Sequence, residues 1–362
     1  MSYFADVARS VVRYEPVHKS ALRDFQRLHF GAATRHSSDD FAEWLFERNP
    51  HRDPGGPSLW LCVRDGVVVG QQASIPVVLK VQDAEHRAAW LIDWMIHPQW
   101  RMRGVAVALL TASAEHHELM LGLGLEDVAY KTVHRAGWTD VGRLSLFVRP
   151  LDAAACARLL NLPALVGKLA PRALFGGTAR MGRHMAGALA RISMEPVAAF
   201  DDRIDEIWAK AGGDYAILVK RDYASVRWRY DDGPFRALYQ RYYFRRRGQT
   251  IGYAVLRLAK WRGHTVGRVV DYLIERRRAA PVLALIIDEL NTQGAIAALF
   301  EQWHPGTEML LRSLGCVRTR ASHRFMFKLR DAASPLAHAL AQANSWFLMP
   351  GDSDFDHVLV ES

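Results

Sequence analysis

The sequence lacks several things, and each lack removes a class of protein. Its three cysteines, Cys62, Cys156 and Cys316, are odd in number, far apart and without C-x-x-C spacing. That argues against a disulfide framework and against a thiolate zinc site. No stretch offers the roughly 18 uninterrupted apolar residues of a membrane-spanning helix. The most apolar candidate, around 153–171, is broken by Arg158 and Lys168. The opening residues, MSYFADVARSVVRYEP, contain no apolar signal-peptide core. The expectation is a soluble, cytoplasmic protein. Acidic residues are in deficit, 38 against 47 Lys and Arg, leaving a formal charge of +9. A basic chain suits an anionic partner: a nucleotide-like cofactor, nucleic acid or an acidic membrane surface. No nucleic-acid reader motif accompanies the arginine runs at 245–247 and 276–278. They read as solvated basic surface at turns, and no specific nucleic acid is expected.

What is present is a globular composition, half hydrophobic over 362 residues, long enough for two domains. The most informative stretch is 88–112, AAWLIDWMIHPQWRMRGVAVALLTA. It reads as a buried strand, a turn and an apolar helix. At the turn lies Arg101-Met102-Arg103-Gly104-Val105-Ala106. A helix N-terminus presents unpaired N–H groups and the positive end of its macrodipole, so it favours phosphate. Gly104 lets the backbone approach such a ligand closely.

Around this stretch the chain reads in order. Apolar spacing predicts a helix over HKSALRDFQRLHF, after a strand-like RSVVRYEPV. A second helix follows over SSDDFAEWLFERNP, capped by Ser38, Asp39 or Asp40 and stopped at Asn49-Pro50. SLWLCVRDGVVVGQQASIPVVLKV reads as a hairpin turning at Asp65-Gly66. A short strand, a helix ending near Gly137 and the strand RLSLFVRPL complete the order β-α-α-β-β-β-α-β-α-β. The loop and this order resemble the GNAT superfamily of acyl-CoA-dependent N-acyltransferases, whose pyrophosphate loop is Gln/Arg-x-x-Gly-x-Gly/Ala. The resemblance covers residues 10–151. It implies an α/β fold with a mixed, mostly antiparallel sheet flanked by helices. It also implies acetyl-CoA or another acyl-CoA as co-substrate, no metal, and a small-molecule amine as acceptor.

The pattern then recurs. DYASVRWRYDDGP at 222–234 echoes DDFAEWLFERNP, with Trp44 matching Trp228 and Pro50 matching Pro234 at an offset of 184. Gly66 and Gly70 match Gly248 and Gly252 at 182. Asp93, Gly137, Phe147 and Leu151 match Asp271, Gly315, Phe325 and Leu329 at 178. Such self-similarity indicates a duplicated structural unit. The division expected is two tandem GNAT-like domains at 1–151 and 196–330, a basic helical linker at 152–195, and a tail at 331–362. The linker offers at most weak contact with a membrane surface. The repeat lacks the loop: Arg101, Gly104 and Ala106 fall on Ala279, Val282 and Ala284, and Pro281 removes a backbone donor. The tail's Asp352, Asp354 and Asp356 have no calcium-loop glycine at the sixth position, where His357 stands, and read as exposed acidic residues. The tail and the Trp-x-Tyr pieces also resemble GNAT proteins of bacterial polysaccharide gene clusters, which suggests an amino sugar or nucleotide-sugar acceptor.

An amine acceptor must lose a proton, and a carboxylate or histidine can take it. Asp93 is the acidic candidate, since a carboxylate in AAWLIDWMI must be paired or functional. The resemblance places a thiolate-protonating Tyr four residues before Gly137-Trp138. Val133 stands there, leaving Tyr130 and His134 as substitutes. His97 lies beside the loop. His116 and His117, adjacent on one helix, diverge by about 100° and read as no metal pair. Ile96 and residues 101–106 are the expected cofactor contacts. Two rivals stand: a catalytically inactive CoA-binding scaffold, and an aminoacyl-tRNA-dependent transferase.

Overall fold

The structure is a computed structural model that describes residues 3–31, 35–152, 154–156 and 191–358. Most of the expected linker, 157–190, and with it the suggested membrane contact, lies outside the described residues. Among the described residues no helix is long and apolar enough to cross a membrane.

The first half runs α1 (Tyr3–Arg9), β1 (Val11–Arg13), α2 (Lys19–Phe30), α3 (Asp39–Ala42), β2 (Leu59–Arg64), β3 (Val67–Val81), β4 (Ala84–Ile96), α4 (Val105–His116), β5 (Leu119–Leu123), α5 (Asp127–Arg135) and β6 (Thr139–Pro150). From β1 onward this is the expected order. The strand-like opening yields only three strand residues, because the chain before it is helical. The second half runs β7 (Ile192–Val197), α6 (Arg203–Ala211), β8 (Ile217–Val219), α7 (Tyr223–Tyr230), β9 (Gln240–Arg246), β10 (Gln249–Trp261), β11 (His264–Ile274), α8 (Ala279–Thr292), β12 (Ala297–Gln302), α9 (Pro305–Ser313), β13 (Val317–Leu329), α10 (Leu336–Leu340) and α11 (Phe355–Val358). The end of the expected helical linker is therefore a strand, β7, antiparallel to β9.

The chain forms two compact units, and they are not the sequential halves. The first holds Met1–Gly142, Asp232–Pro234 and His323–Ala343; the second holds Arg143–Asp231, Phe235–Ser322 and Asn344–Ser362. Boundaries at 151, 196 and 330 fail because the last strand of each half is exchanged. In the second unit β6 runs antiparallel to β12, with Phe147 opposite Phe300. In the first unit β13 runs antiparallel to β5, with Phe325 opposite Leu123. Within the first unit the strand order is β1-β2-β3-β4-β5-β13, and within the second it is β6-β12-β11-β10-β9-β7. In each, one pair is parallel, β4–β5 and β11–β12.

Local chemistry accounts for the elements that position the site. Ser38 caps α3 by accepting from the Phe41 amide, and Asp222 caps α7 by accepting from Ser225. Asp65 and Gly66 (φ 51° and 77°) form the left-handed hairpin turn; Arg247 and Gly248 (50° and 81°) form its counterpart. The registers agree with the sequence repeat: Gly70 faces Ile96 and Gly252 faces Ile274, at the same offsets of 182 and 178. Helix α4 is held from two directions. Leu109 packs with Trp60, Val69 and Val105, while Leu110 packs with Leu91, Met120 and Val133. Each fully buried Leu contributes on the order of 1.5–3 kcal/mol. A Cβ on Gly70 would come within 2.9 Å of Val105, so glycine permits this close approach of β3 to α4.

The tail is not the exposed acidic segment expected. Asp352 and Asp356 are buried in the second unit. Arg221 Nη2 lies 2.7 Å from Asp352 Oδ1, and the Met349 amide donates to Asp352 Oδ2 at 2.8 Å. Arg229 and Tyr239 both engage Asp356, and Arg257 donates to its carbonyl at 2.7 Å. A carboxylate can be buried where arginine pairs it, and Arg221 and Arg229 lie more than a hundred residues from Asp352 and Asp356, beyond the reach of any local pattern.

Candidate active site

After Ile96 the chain makes a short turn, Pro98–Trp100, in which the Gln99 amide donates to His97 Nδ1 at 3.3 Å. Met102 and Gly104 then adopt left-handed backbone (φ 61° and 81°), and α4 begins. Gly104 is the N-cap and provides no side-chain cap, so the first-turn amides that an Asp or Ser would occupy are left to a ligand. Met102 is wholly exposed, and its contribution is its backbone. Arg101 and Arg103 are exposed; Arg103 lies 5.5 Å over the Trp100 ring and Arg64 5.7 Å, which gathers positive charge at the loop. Val105 is buried and anchors the helix start, Ala106 is half-buried, and Ile96 packs beside Val105. Strands β4 and β5 pair only at Ala89–Met120 and Trp90–Leu121, although β4 runs on to Ile96. In the second unit the turn Arg276–Arg278 leads straight into α8 at Ala279, and neither the turn nor the helix start has a left-handed residue.

Asp93 sits at an irregularity of β4. Ala73 faces Ile92 while Gln71 faces Met95, so one extra residue is accommodated in β4, and Asp93 takes a positive φ of 47°. The Asp93 carbonyl accepts from Gln71 Nε2 at 3.2 Å, and Gln71 Oε1 accepts from Gln26 at 3.3 Å. Its carboxylate meets His36: Nε2 to Oδ1 is 2.9 Å, both side chains are nearly buried, and the contact spans 57 residues of sequence. The His36 ring is stacked on Phe30 at 3.8 Å and edge-on to Phe41 at 5.7 Å. His36 and Asp93 line one cavity of about 330 Å³, with Tyr14, Leu22, Phe46 and Gln71 among its walls and Lys19, Arg23, Asp39, Glu43 and Glu47 also on it. His36 was missed in the sequence, where it stands in the short polar stretch between two helices. The one signal available is its place two residues before the Ser38 cap; the repeat also sets cations, Lys220 and Arg221, before the Asp222 cap.

The other expected catalytic residues are not brought to this cavity. Tyr130 is half-buried on α5 and packs against the cluster of Leu91, Leu110 and Val133, with the Arg324 guanidinium 3.7 Å over its ring. His134 is exposed one turn along, 5.7 Å from it. Val133, at the position where the resemblance places a tyrosine, is a fully buried core residue. The two histidines expected to diverge do not: α4 ends at His116, His117 is extended (φ −92°, ψ 141°), and their rings lie 4.9 Å apart. The premise that both are helical is what fails.

Compared with known proteins, residues 13–120 match the sequence model of the acetyltransferase (GNAT) domain, a span that includes His36, Asp93 and the loop. No curated protein matches the chain in sequence. Among solved structures, a GCN5-related N-acetyltransferase from Anabaena variabilis is similar at a TM-score of 0.61 and 13% identity, over 89% of this chain and 72% of that one. An Enterococcus faecalis protein described as a probable N-acyltransferase gives 0.58 at 10% identity, over 88% and 72%. The Saccharomyces cerevisiae N-myristoyltransferase with bound myristoyl-CoA gives 0.54 at 12%, over 90% and 79%. At such identities the likeness is one of fold: the chain has a GNAT-like α/β fold.

Proposed function

We propose that the chain is an acyl-CoA-dependent N-acyltransferase of two tandem GNAT-like units, with the chemistry in the first. The observation that carries this reading is the irregularity at Asp93. It turns a carboxylate onto His36 at a cavity, and the same strand continues into the loop that opens α4. Acyl-CoA, when bound, supplies a thioester carbonyl already activated for attack. The first-turn amides of α4 from Gly104 onward, with Arg101 and Arg103 alongside, hold its pyrophosphate. Beyond Trp90, where pairing with β5 ends, the edge of β4 away from β3 offers backbone donors and acceptors to the pantetheine arm.

The acceptor is a primary amine, and at neutral pH it arrives protonated. His36 removes that proton. With Nε2–H donating to Asp93, the basic nitrogen of the neutral ring is Nδ1. Asp93 fixes this tautomer and stabilises the imidazolium that forms, while Phe30 and Phe41 keep the ring in place. Asp39, Glu43 and Glu47 on the cavity favour a cationic acceptor. The leaving thiolate takes its proton from solvent, since neither Tyr130 nor His134 is brought to the cavity. Acetyl is the acyl group proposed and an amino sugar or nucleotide-sugar the acceptor, the latter supported only by the resemblance of the tail.

The test is calorimetric titration of acetyl-CoA into the wild type and Gly104→Glu, followed by assay of thiol release with a panel of amines. Binding by the wild type that is lost in the variant supports the loop. No binding, or equal binding by both, sinks it. Binding with no transfer to any amine leaves a CoA-binding scaffold.

A further inference from the structure

At the far end of α4 from the loop, a second cluster stands apart from the cavity. One ring nitrogen each of His116 and His117 and a carboxylate oxygen of Asp53 lie within 4.8 Å of one another. Asp53 Oδ2 is 3.0 Å from His116 Nε2 and accepts from Ser58 Oγ at 2.6 Å. His117 is 8% exposed, and its Nε2 is buried without a hydrogen-bond partner. Both imidazoles pack on Trp60, their ring centroids 5.4 Å from its own. We propose that Asp53, His116 and His117 form a divalent-metal site of the zinc class, which braces the C-terminal end of α4 against the loop before β2.

Two imidazoles and one carboxylate are a zinc ligand set, and they leave a fourth position for water. Zinc bonds of about 2.0–2.2 Å need only a small inward movement of the three groups. The C-terminal end of a helix favours a cation. Asp53 also faces Arg13 at 3.4 Å and Arg87 at 3.9 Å, and Arg330 reaches the carbonyls of Glu115 and His116. These cations limit the affinity. Arg13 is held independently by the carbonyls of Gly56 and Pro57 and need not move. On binding, His116 exchanges its contact with Asp53 for the metal.

The test uses untagged, chelator-treated full-length protein, titrated with zinc chloride by calorimetry and with Co²⁺ by visible absorption. The site predicts one equivalent of Zn²⁺, four-coordinate Co²⁺ bands, and at least tenfold weaker binding in His116→Ala. That side chain is one-third exposed, so its loss should leave folding intact, as circular dichroism will show. His117→Gln should act alike; if it does not fold, His116→Ala decides alone. No binding by the wild type, or binding undiminished in His116→Ala, overturns the proposal.

Discussion

The cavity of the first unit and the matching place in the second are built from corresponding residues and come out opposite. Leu45, Phe46, Gln71 and Asp93 line the first; at the offsets of the repeat they become Arg229, Tyr230, Tyr253 and Asp271. Both carboxylates take a nitrogen partner from just before a helix cap: His36, two residues before Ser38, and Arg221, one before Asp222. In the first unit the partner is an imidazole beside about 330 Å³ of open space. In the second, Asp271 is bound by Arg221 at 3.1 Å, Tyr253 Oη at 2.7 Å and the Tyr272 amide at 2.9 Å, and the chain's own C-terminal segment lies on top. Gly351 packs there so closely that a Cβ would come within 2.0 Å of Tyr230 Oη. One arrangement thus serves an imidazole–carboxylate pair at a cavity and an arginine–carboxylate pair in a core. Asp271 is structural, and its presence in the copy does not make Asp93 so.

The comparison can be broken in four places. Arg221→Ala leaves Asp271 and Asp352 buried without their shared cation, and should cost about 3–5 kcal/mol in urea unfolding. A loss under about 1 kcal/mol would mean that the second unit is not built around that pair. His36→Ala should do the reverse: acyl transfer falls about a hundredfold, some 2.7 kcal/mol, while stability moves by less than about 1 kcal/mol. Equal effects of the two substitutions on stability would erase the distinction between the units. Gly104→Glu should weaken acetyl-CoA binding at least tenfold, about 1.4 kcal/mol, by removing from the first unit the loop glycine that the second lacks.

The last effect is a slope. Burial pushes the Asp352 pKa up to about 6, against the attraction of Arg221. The folded state then holds a proton that the unfolded chain releases near 3.8. The contribution of Asp352 is complete below that value and is lost as pH rises through about 6. Urea unfolding of the wild type relative to Asp352→Asn should show this loss between pH 4 and 6. Parallel profiles would contradict it.

How much of this could be read in advance depended on distance along the chain. The loop at 101–106 and the order of elements from β1 to β6 were legible, because strand alternation, helix caps and a glycine at positive φ act within a few residues. Asp93 was legible as a carboxylate that needed an explanation, but its partner was not: Asp93 and His36 are joined by a β-irregularity and a turn, neither of which leaves a periodic trace. The tail failed for a related reason. GDSDFD looks solvated until the arginines facing it, Arg221, Arg229 and Arg257, are known. Adjacent His116 and His117 were misjudged by a single residue of helix.

The exchange of β6 and β13 bears on how the protein must be made. The first sheet cannot acquire β13 until residue 329 has left the ribosome, some two hundred residues after β5. Until then the edge of β5 stays open, a template for stray pairing. Contacts so far apart in sequence slow folding. Cutting the chain at residue 151 would therefore not release a working half; it would strand β6 without β12 and deny the first sheet its last strand.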